Sequence, residues 1–298
     1  MAVTAPARAS LAPESRSARR WIREHQLLAF FGVTYLLMFG ITFAYVYGLP
    51  APYPVVWFLG IFSPTIAGLL ISMLSGGRPA VKAMLVGFTR WRVGLRWYLA
   101  ALSLVLVPLG IALVYIALGN APRGLLPGVT AWALVGQFVF TLFSGPLAEE
   151  AGWRGFALPR LEAKHSALAA SLILGSLWAA WHIPLYFQGG SAAPGVPFPI
   201  YLVMVVVLAT LFTWLYNNTG GSLVITVLAH FSFNLTTVFI TGAFGLLPMN
   251  VFFMTAGPAL GLMVIAVVAY FGPRHLSRKR ADQLPFQKAE HGGLSWTS

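Results

Sequence analysis

The neighbouring carboxylates Glu149 and Glu150 are the side chains in this sequence best suited to chemistry. The chain has only seven acidic residues, and Glu149, Glu150 and Glu162 are the three within its long apolar part. An ionisable side chain at membrane depth is costly, so it faces a cavity or a partner and often has a function. Adjacent carboxylates also repel each other, which suits one of them to proton transfer. The competing interpretation is a structural salt bridge to Arg154, one helical turn later.

Two histidines and an asparagine in other apolar segments can join these carboxylates. His230 and Asn234 are four residues apart and therefore share one helix face. The polar residues 164–166 predict a tight turn, and Glu149 and His182 are equally distant from it along the chain. At 1.5 Å per residue, both lie roughly 25 Å along their helices from that turn. We expect these side chains to meet at one depth and to line an intramembrane polar cavity.

These side-chain types fit the hydrolysis of an acyl bond by an activated water molecule. A carboxylate and an imidazole can take a proton from water, and a second imidazole and an amide can stabilise an oxyanion. A pair of transmembrane aspartates is excluded, because Asp282 is the only aspartate. Glu149, His182 and His230 also form a plausible zinc set with an open fourth position. The usual His-Glu-x-x-His zinc motif is absent.

Membrane-spanning helices must hold these residues, and the composition predicts them. Of 298 residues, 58% are hydrophobic and 9% are charged, and the mean hydropathy is +0.78. A soluble domain of this size could not keep so apolar a surface in water. The sequence therefore predicts an all-α, polytopic integral membrane protein with an intramembrane polar cavity. The eight predicted spans are approximately 26–47, 55–74, 98–118, 130–147, 167–187, 200–216, 221–241 and 250–271.

The basic residues predict the orientation of these spans. If the N-terminus is cytoplasmic, every Lys and Arg except Arg123 lies in or beside a cytoplasmic segment. This distribution follows the positive-inside rule and predicts a multi-pass cell-membrane protein with both termini in the cytoplasm. The basic residues that produce the net charge of +12 flank the apolar spans. We therefore expect contacts with anionic lipid headgroups and no binding of nucleic acid.

Four segments follow from these patterns. Residues 1–24 are predicted to form a disordered cytoplasmic tail, and residues 273–298 a basic, disordered cytoplasmic tail. Residues 25–125 hold the N-terminal spans, including an amphipathic interfacial segment at about 78–97, where basic residues alternate with tryptophans. Residues 126–272 form the helical core that carries the candidate site. The sequence gives no indication of an oligomeric state.

Three motifs in this core resemble those of the CPBP intramembrane endopeptidases. This family, also called the ABI family, includes the type II CAAX prenyl proteases and bacteriocin-processing and immunity proteins. Its motifs are Glu-Glu-x-x-x-Arg, Phe-x-x-x-His and His-x-x-x-Asn. The matching positions are Glu149, Glu150 and Arg154; Trp178, in place of the usual Phe, with His182; and His230 with Asn234. The three motifs occur in order on separate apolar segments within about residues 140–240.

The resemblance implies roles for these residues. The catalytic residues that it implies are Glu149, Glu150, His182, His230 and Asn234, with Arg154 and Trp178 as supporting residues. Glu149 is similar to the general base that activates water, and His182 assists it. Glu150 orients or protonates, Arg154 holds the carboxylates, and the last His-Asn pair stabilises the oxyanion. The resemblance favours a reaction without metal or cofactor over the zinc-dependent version.

The function that this resemblance implies is endopeptidase cleavage of a membrane-tethered protein or peptide, either prenylated or leader-bearing. Two further interpretations remain open. A catalytically silent immunity or partner protein would keep the polar cavity only as architecture. A proton-coupled transporter would use the buried carboxylates and imidazoles as a relay.

Overall fold

The structure is a computed structural model that describes residues 13–48, 53–122, 124–187, 193 and 195–285. This part of the chain is helical and contains no β-strand. The α-helices are α1 (Pro13–Glu24), α2 (Gln26–Val46), α3 (Tyr53–Ile61), α4 (Ser63–Leu85), α5 (Leu95–Leu102), α6 (Leu106–Ala117), α7 (Ala131–Phe143), α8 (Pro146–Glu150), α9 (Leu158–Glu162), α10 (Ala167–Trp181), α11 (Ile183–Phe187), α12 (Phe198–Asn218), α13 (Leu223–Val238) and α14 (Met249–Phe271).

The described residues include eight helical spans long and apolar enough to cross a membrane, which confirms the predicted all-α polytopic architecture. Helices suit this environment because they satisfy every interior backbone N–H and C=O within the segment. The spans are Gln26–Val46, Ser63–Thr89, Leu95–Ala117, Ala131–Glu162, Ala167–Tyr186, Phe198–Asn218, Leu223–Ala243 and Met249–Phe271. We call the side where the first span begins and the eighth ends the terminal face, and the opposite side the far face.

The second span begins later than the sequence predicts. The expected start near residue 55 falls in α3, which is separate from α4. The span continues to Thr89 and bends at Gly77, where a φ of 66° is accessible because glycine has no Cβ. The predicted interfacial segment at 78–97 is consequently divided between the end of this span, a short loop and the start of α5.

The fourth span, which carries the two adjacent carboxylates, is irregular. Helix α7 ends at Phe143, and Gly145 has non-helical angles, with φ −150° and ψ −76°. Pro146 then starts α8, in agreement with the preference of proline for the first turn of a helix. Residues Ala151–Ala157 form a π-helix before α9 completes the span. Such π-helical turns are rare and often occur at functional sites.

Residues 13–24 correct the prediction of a disordered N-terminal tail. They form α1, in which Arg20 and Glu24 pair at 2.9 Å and Trp21 stacks on His25 with ring centroids 5.0 Å apart. Ile22 packs against the hydrophobic core. An amphipathic helix with an apolar contact is thus favoured over a solvated coil. Residues 1–12 lie outside the described part of the chain.

Residues 273–285 correct the prediction of a disordered C-terminal tail. The carbonyl of Arg274 accepts a hydrogen bond at 2.8 Å from the backbone N–H of Ala167, in the first turn of α10. Asn218 donates to the carbonyl of Leu276 at 2.8 Å, and the Leu276 side chain is fully buried. This segment is ordered because it satisfies polar groups at helix ends and buries an apolar side chain. Residues 286–298 are outside the described part of the chain.

Two glycines allow the close helix packing that fixes the site. A Cβ on Gly152 would lie 2.4 Å from the backbone carbonyl of Pro64, so the π-helix touches the backbone of α4. A Cβ on Gly175 would lie 2.8 Å from Cα of Val206, where α10 crosses α12. Small residues at such crossings let helix backbones approach closely within a membrane.

Candidate active site

Glu149 is a buried carboxylate held by two indole groups. Its Oε2 atom accepts a hydrogen bond from Trp153 Nε1 at 3.1 Å and another from Trp178 Nε1 at 2.5 Å. Only 3% of the residue is exposed. Because Oε2 is fixed in this way, Oε1 remains available on the side of the carboxylate that lines a cavity.

Glu150 lies behind the cavity wall and links two other candidate residues. Its Oε1 atom accepts from Arg154 Nη1 at 2.8 Å and lies 2.9 Å from Nδ1 of His230. Glu150 and Arg154 are both fully buried. The Arg154 guanidinium also lies 4.5 Å from the Trp178 ring centroid and 4.9 Å from that of Phe212, which are cation–π contacts. This network fixes the His230 ring, with Nε2 on the side facing the cavity.

Trp178 connects the second motif to the first. Its indole N–H donates to Glu149, while its backbone carbonyl accepts from Nδ1 of His182 at 2.9 Å. When Nδ1 of a neutral imidazole donates, Nε2 carries the lone pair. The Trp178 ring also meets the His230 ring edge-on, with centroids 5.2 Å apart. One tryptophan thus positions the carboxylate and both imidazoles.

Polar groups from the fourth and seventh spans converge at Gly145. An alanine Cβ at this position would lie 3.1 Å from Asn234 Nδ2, 3.5 Å from Glu149 Oε1 and 3.6 Å from His230 Nε2. Any two of these atoms are therefore no more than about 7 Å apart, and one water molecule can bridge two polar atoms up to about 6 Å apart. The absence of a side chain on Gly145 leaves space for a small group between the carboxylate, the imidazole and the amide.

These groups line a cavity of about 410 Å³ in the half of the bundle next to the far face. Its wall includes Gln137, early in the fourth span, Leu185, late in the fifth, and Met249, the first residue of the eighth. All three positions are near the far face, because successive spans run in opposite directions. The lining is mainly apolar, as expected of a small-molecule or peptide site with few polar groups.

The structure brings the candidates named from the sequence into one cluster of contacts. Of these candidates, the ones that line the cavity are Glu149, Trp178, His182, His230 and Asn234. Glu150 and Arg154 form the buried network behind it. Sequence reasoning gave Trp153 no role, although its spacing of four residues from Glu149 matches the spacing of Glu150 and Arg154. Gly145 was likewise not among the residues that the three motifs singled out.

The residues proposed for zinc do not form a metal site in this arrangement. Within the described part of the chain, no three His, Asp or Glu side chains are placed to hold one metal ion. Glu149, His182 and His230 nevertheless line the same cavity, where Glu149 Oε1 remains available because both indoles bind Oε2.

The fold and the site together define a class: a multi-pass membrane protein that encloses a carboxylate, two imidazoles and an amide in one cavity. Comparison with known proteins shows which family the core is similar to. Residues 130–236 match the family described as type II CAAX prenyl endopeptidase Rce1-like. All the candidate residues fall within this range. The chain is also similar to CAAX prenyl protease 2 of Methanococcus maripaludis, with 27% identity over 103 residues.

These matches confirm the resemblance predicted from the three motifs, and the similarity lies in the core that carries them. The alignment with the Methanococcus protein covers 33% of this chain and 38% of that protein. The family match at residues 130–236 covers the spans that carry the candidate site, and the first three spans and the eighth lie outside it.

Proposed function

We propose that this protein is an intramembrane endopeptidase in which Glu149 activates water to hydrolyse a peptide bond of a membrane-tethered substrate. The observation that carries the proposal is the convergence of Glu149 Oε1, His230 Nε2 and Asn234 Nδ2 around Gly145. A base and oxyanion donors around one small space are what hydrolysis of an acyl bond requires.

The reaction follows from these positions with water as the only co-reactant. Glu149 takes a proton from the water molecule as its oxygen bonds to the carbonyl carbon of the substrate. The carbonyl oxygen becomes an oxyanion, and the Asn234 amide donates a hydrogen bond to it. When the C–N bond breaks, the proton held by Glu149 passes to the leaving amine. His182 Nε2 accepts a hydrogen bond that orients the water.

Glu150 acts as a positioning residue in this scheme. Its contact with Nδ1 of His230 fixes the ring, so that Nε2 faces the space where the oxyanion forms. Arg154 holds Glu150 in turn through its 2.8 Å ion pair. Because Glu150 does not line the cavity, its loss should mainly lower kcat, with KM nearly unchanged.

The position of the cavity favours a substrate that approaches from the far face. In the orientation that the positive-inside rule predicts, this is the external side of the cell membrane. A leader-bearing or secreted peptide anchored in the outer leaflet therefore fits better than a cytoplasmic prenylated protein. The relative from Methanococcus is named as a prenyl protease, so prenylated peptides are the second substrate class to test.

The decisive variant is Glu149→Gln, with Glu162→Gln as its matched control. A glutamine oxygen at position 149 can still accept from both indoles, so the fold should persist while the base is lost. Glu162 is equally buried but accepts from Asn217 at 2.7 Å, away from the cavity. General-base loss should lower kcat by about 10² to 10⁴-fold, and the control should stay near wild type.

The assay uses purified protein in liposomes with lipid-anchored peptides, half of them prenylated, and mass spectrometry of the products. Cleavage that is equal in wild type and Glu149→Gln would refute the proposal, and the absence of cleavage by wild type would leave a silent partner protein. Proton flux across the vesicles that is lost in Glu149→Gln, without cleavage, would instead indicate a transporter. Activity that follows stoichiometric bound zinc would refute the metal-free reaction.

A further inference from the structure

A second cavity, of about 530 Å³, lies at the terminal face and is separate from the candidate active site. It is formed where the third span begins, where the sixth and eighth spans end, and where the ordered C-terminal segment folds back. These chain positions all belong to the terminal face, which the positive-inside rule predicts to be cytoplasmic. We call this cavity the basic pocket.

Positive side chains dominate the polar lining of the basic pocket. Arg96, Arg278 and Lys279 line it, and no carboxylate does so among the residues described. The pKa of Lys279 is lowered by its partial burial and by the positive charge of Arg96. The nearby carboxylate of Asp282 is paired with Arg280 at 3.1 Å and does not line the pocket. Three cations therefore face one space without a neutralising partner in its lining.

Aromatic side chains form the rest of the basic pocket. Trp97 meets Trp214 edge-on, with ring centroids 5.6 Å apart, and Trp214 in turn lies 5.7 Å from Phe271. The Arg278 guanidinium lies 3.9 Å from the centroid of the Tyr270 ring. Aromatic residues with polar edges are typical of the level where lipid headgroups meet hydrocarbon.

Trp214 forms part of the wall of the basic pocket. Its side chain is 9% exposed, and its Nε1–H has no acceptor among the described residues. A buried N–H without a partner is unfavourable, because the group loses its hydrogen bond to water. This nitrogen is shielded from solvent, so the three cations, and not the indole N–H, are the groups that can pair with an anionic oxygen in the basic pocket.

We propose that the basic pocket binds the phosphate headgroup of an anionic phospholipid, with the glycerol and first acyl carbons against the tryptophans. Clusters of Lys and Arg next to spanning helices recognise such headgroups. The mixture of cations and an aromatic wall favours a lipid over a free phosphate ion, which would leave the apolar wall uncovered. This inference depends on the membrane fold and is independent of the proposed peptidase reaction.

The test is native mass spectrometry of the full-length protein, released from detergent with defined lipids added. The probes are phosphatidylglycerol, phosphatidylcholine and water-soluble glycerol phosphate, and a thermal-shift measurement accompanies each. We expect one tightly retained phosphatidylglycerol and a higher Tm with this lipid alone. Each cation contributes about fivefold to attraction by an anionic headgroup, so Arg96→Gln with Lys279→Gln should weaken retention about 30-fold.

The matched control is Arg92→Gln, which removes an exposed cation of the same predicted side that does not line the basic pocket. It should retain the lipid like wild type. Equal retention of phosphatidylcholine, equal stabilisation by glycerol phosphate, or an equal loss in the Arg92 variant would each overturn the proposal. If the double variant unfolds, the single variant Arg96→Lys replaces it in the test. This variant keeps the positive charge, so it must both fold and retain the lipid for the proposal to stand.

Discussion

Gly145→Ala is the sharpest perturbation of the candidate active site, because it adds one methyl group between the proposed reacting groups. The methyl would lie 3.1 Å from Asn234 Nδ2, which is closer than an ordinary van der Waals contact. Its distances of 3.5 Å to Glu149 Oε1 and 3.6 Å to His230 Nε2 are ordinary contacts. The substitution should therefore displace the amide by a few tenths of an ångström and occupy the space proposed for water.

The two effects differ in magnitude. Only one contact is tight, so we expect the free energy of unfolding to fall by about 1 kcal/mol or less. A small misplacement of reacting groups can lower the rate by about a hundredfold, which corresponds to roughly 2.7 kcal/mol in the activation free energy. Activity should thus decrease far more than stability does.

The assay compares kcat/KM and Tm for wild type, Gly145→Ala and Gly136→Ala in the same liposomes. A Cβ on Gly136 would meet nothing within 4 Å, so this control makes the same chemical change in open space. Wild-type kcat/KM in a folded Gly145→Ala protein would refute the placement of the reaction beside Gly145. A parallel fall of activity and Tm would show that the effect is structural.

Three further predictions concern contacts that support the site and the fold. Trp178→Phe keeps an aromatic ring but removes the 2.5 Å hydrogen bond to Glu149. We expect kcat to fall about tenfold with Tm nearly unchanged. An unaltered kcat would contradict the role of this hydrogen bond. Asn217→Leu removes the hydrogen bond that Asn217 donates to the buried Glu162 carboxylate. The free energy of unfolding should therefore fall by about 3 kcal/mol, which thermal unfolding in detergent measures. Gly152→Ala places a methyl 2.4 Å from backbone atoms of α4, so it should lower the yield of folded protein, whereas normal yield and Tm would contradict this packing.

The spans were predictable because lipid imposes one requirement on every backbone group, and long apolar runs meet it only as helices. The break at Gly145-Pro146 was also readable, since proline cannot continue the preceding helix. The expected meeting of Glu149 and His182 at one depth agrees with their shared cavity. These features depend on local sequence and on helical rise alone.

Other features depend on contacts between segments that are distant in the chain. The motif resemblance gives Trp178 only a supporting role. In the structure its indole N–H donates to a carboxylate 29 residues away in the chain, a contact that only the packing of the helices reveals. The ordered C-terminal segment likewise depends on Asn218 and on the exposed N–H groups of α10. The polar composition of this segment predicted a solvated tail. Composition does not show which helix ends have backbone groups that need a hydrogen-bond partner.

The π-helix at Ala151–Ala157 has a consequence for the evolution of this site. A π-helical turn holds one residue more than an α-helical turn, so a single-codon insertion or deletion interconverts the two. Losing that residue would rotate everything after it by roughly 100° relative to Glu149 and Glu150. In an alignment of related chains, a one-position gap here would therefore indicate that the hydrogen bonds of the two carboxylates have changed. It would indicate this more strongly than most single substitutions would.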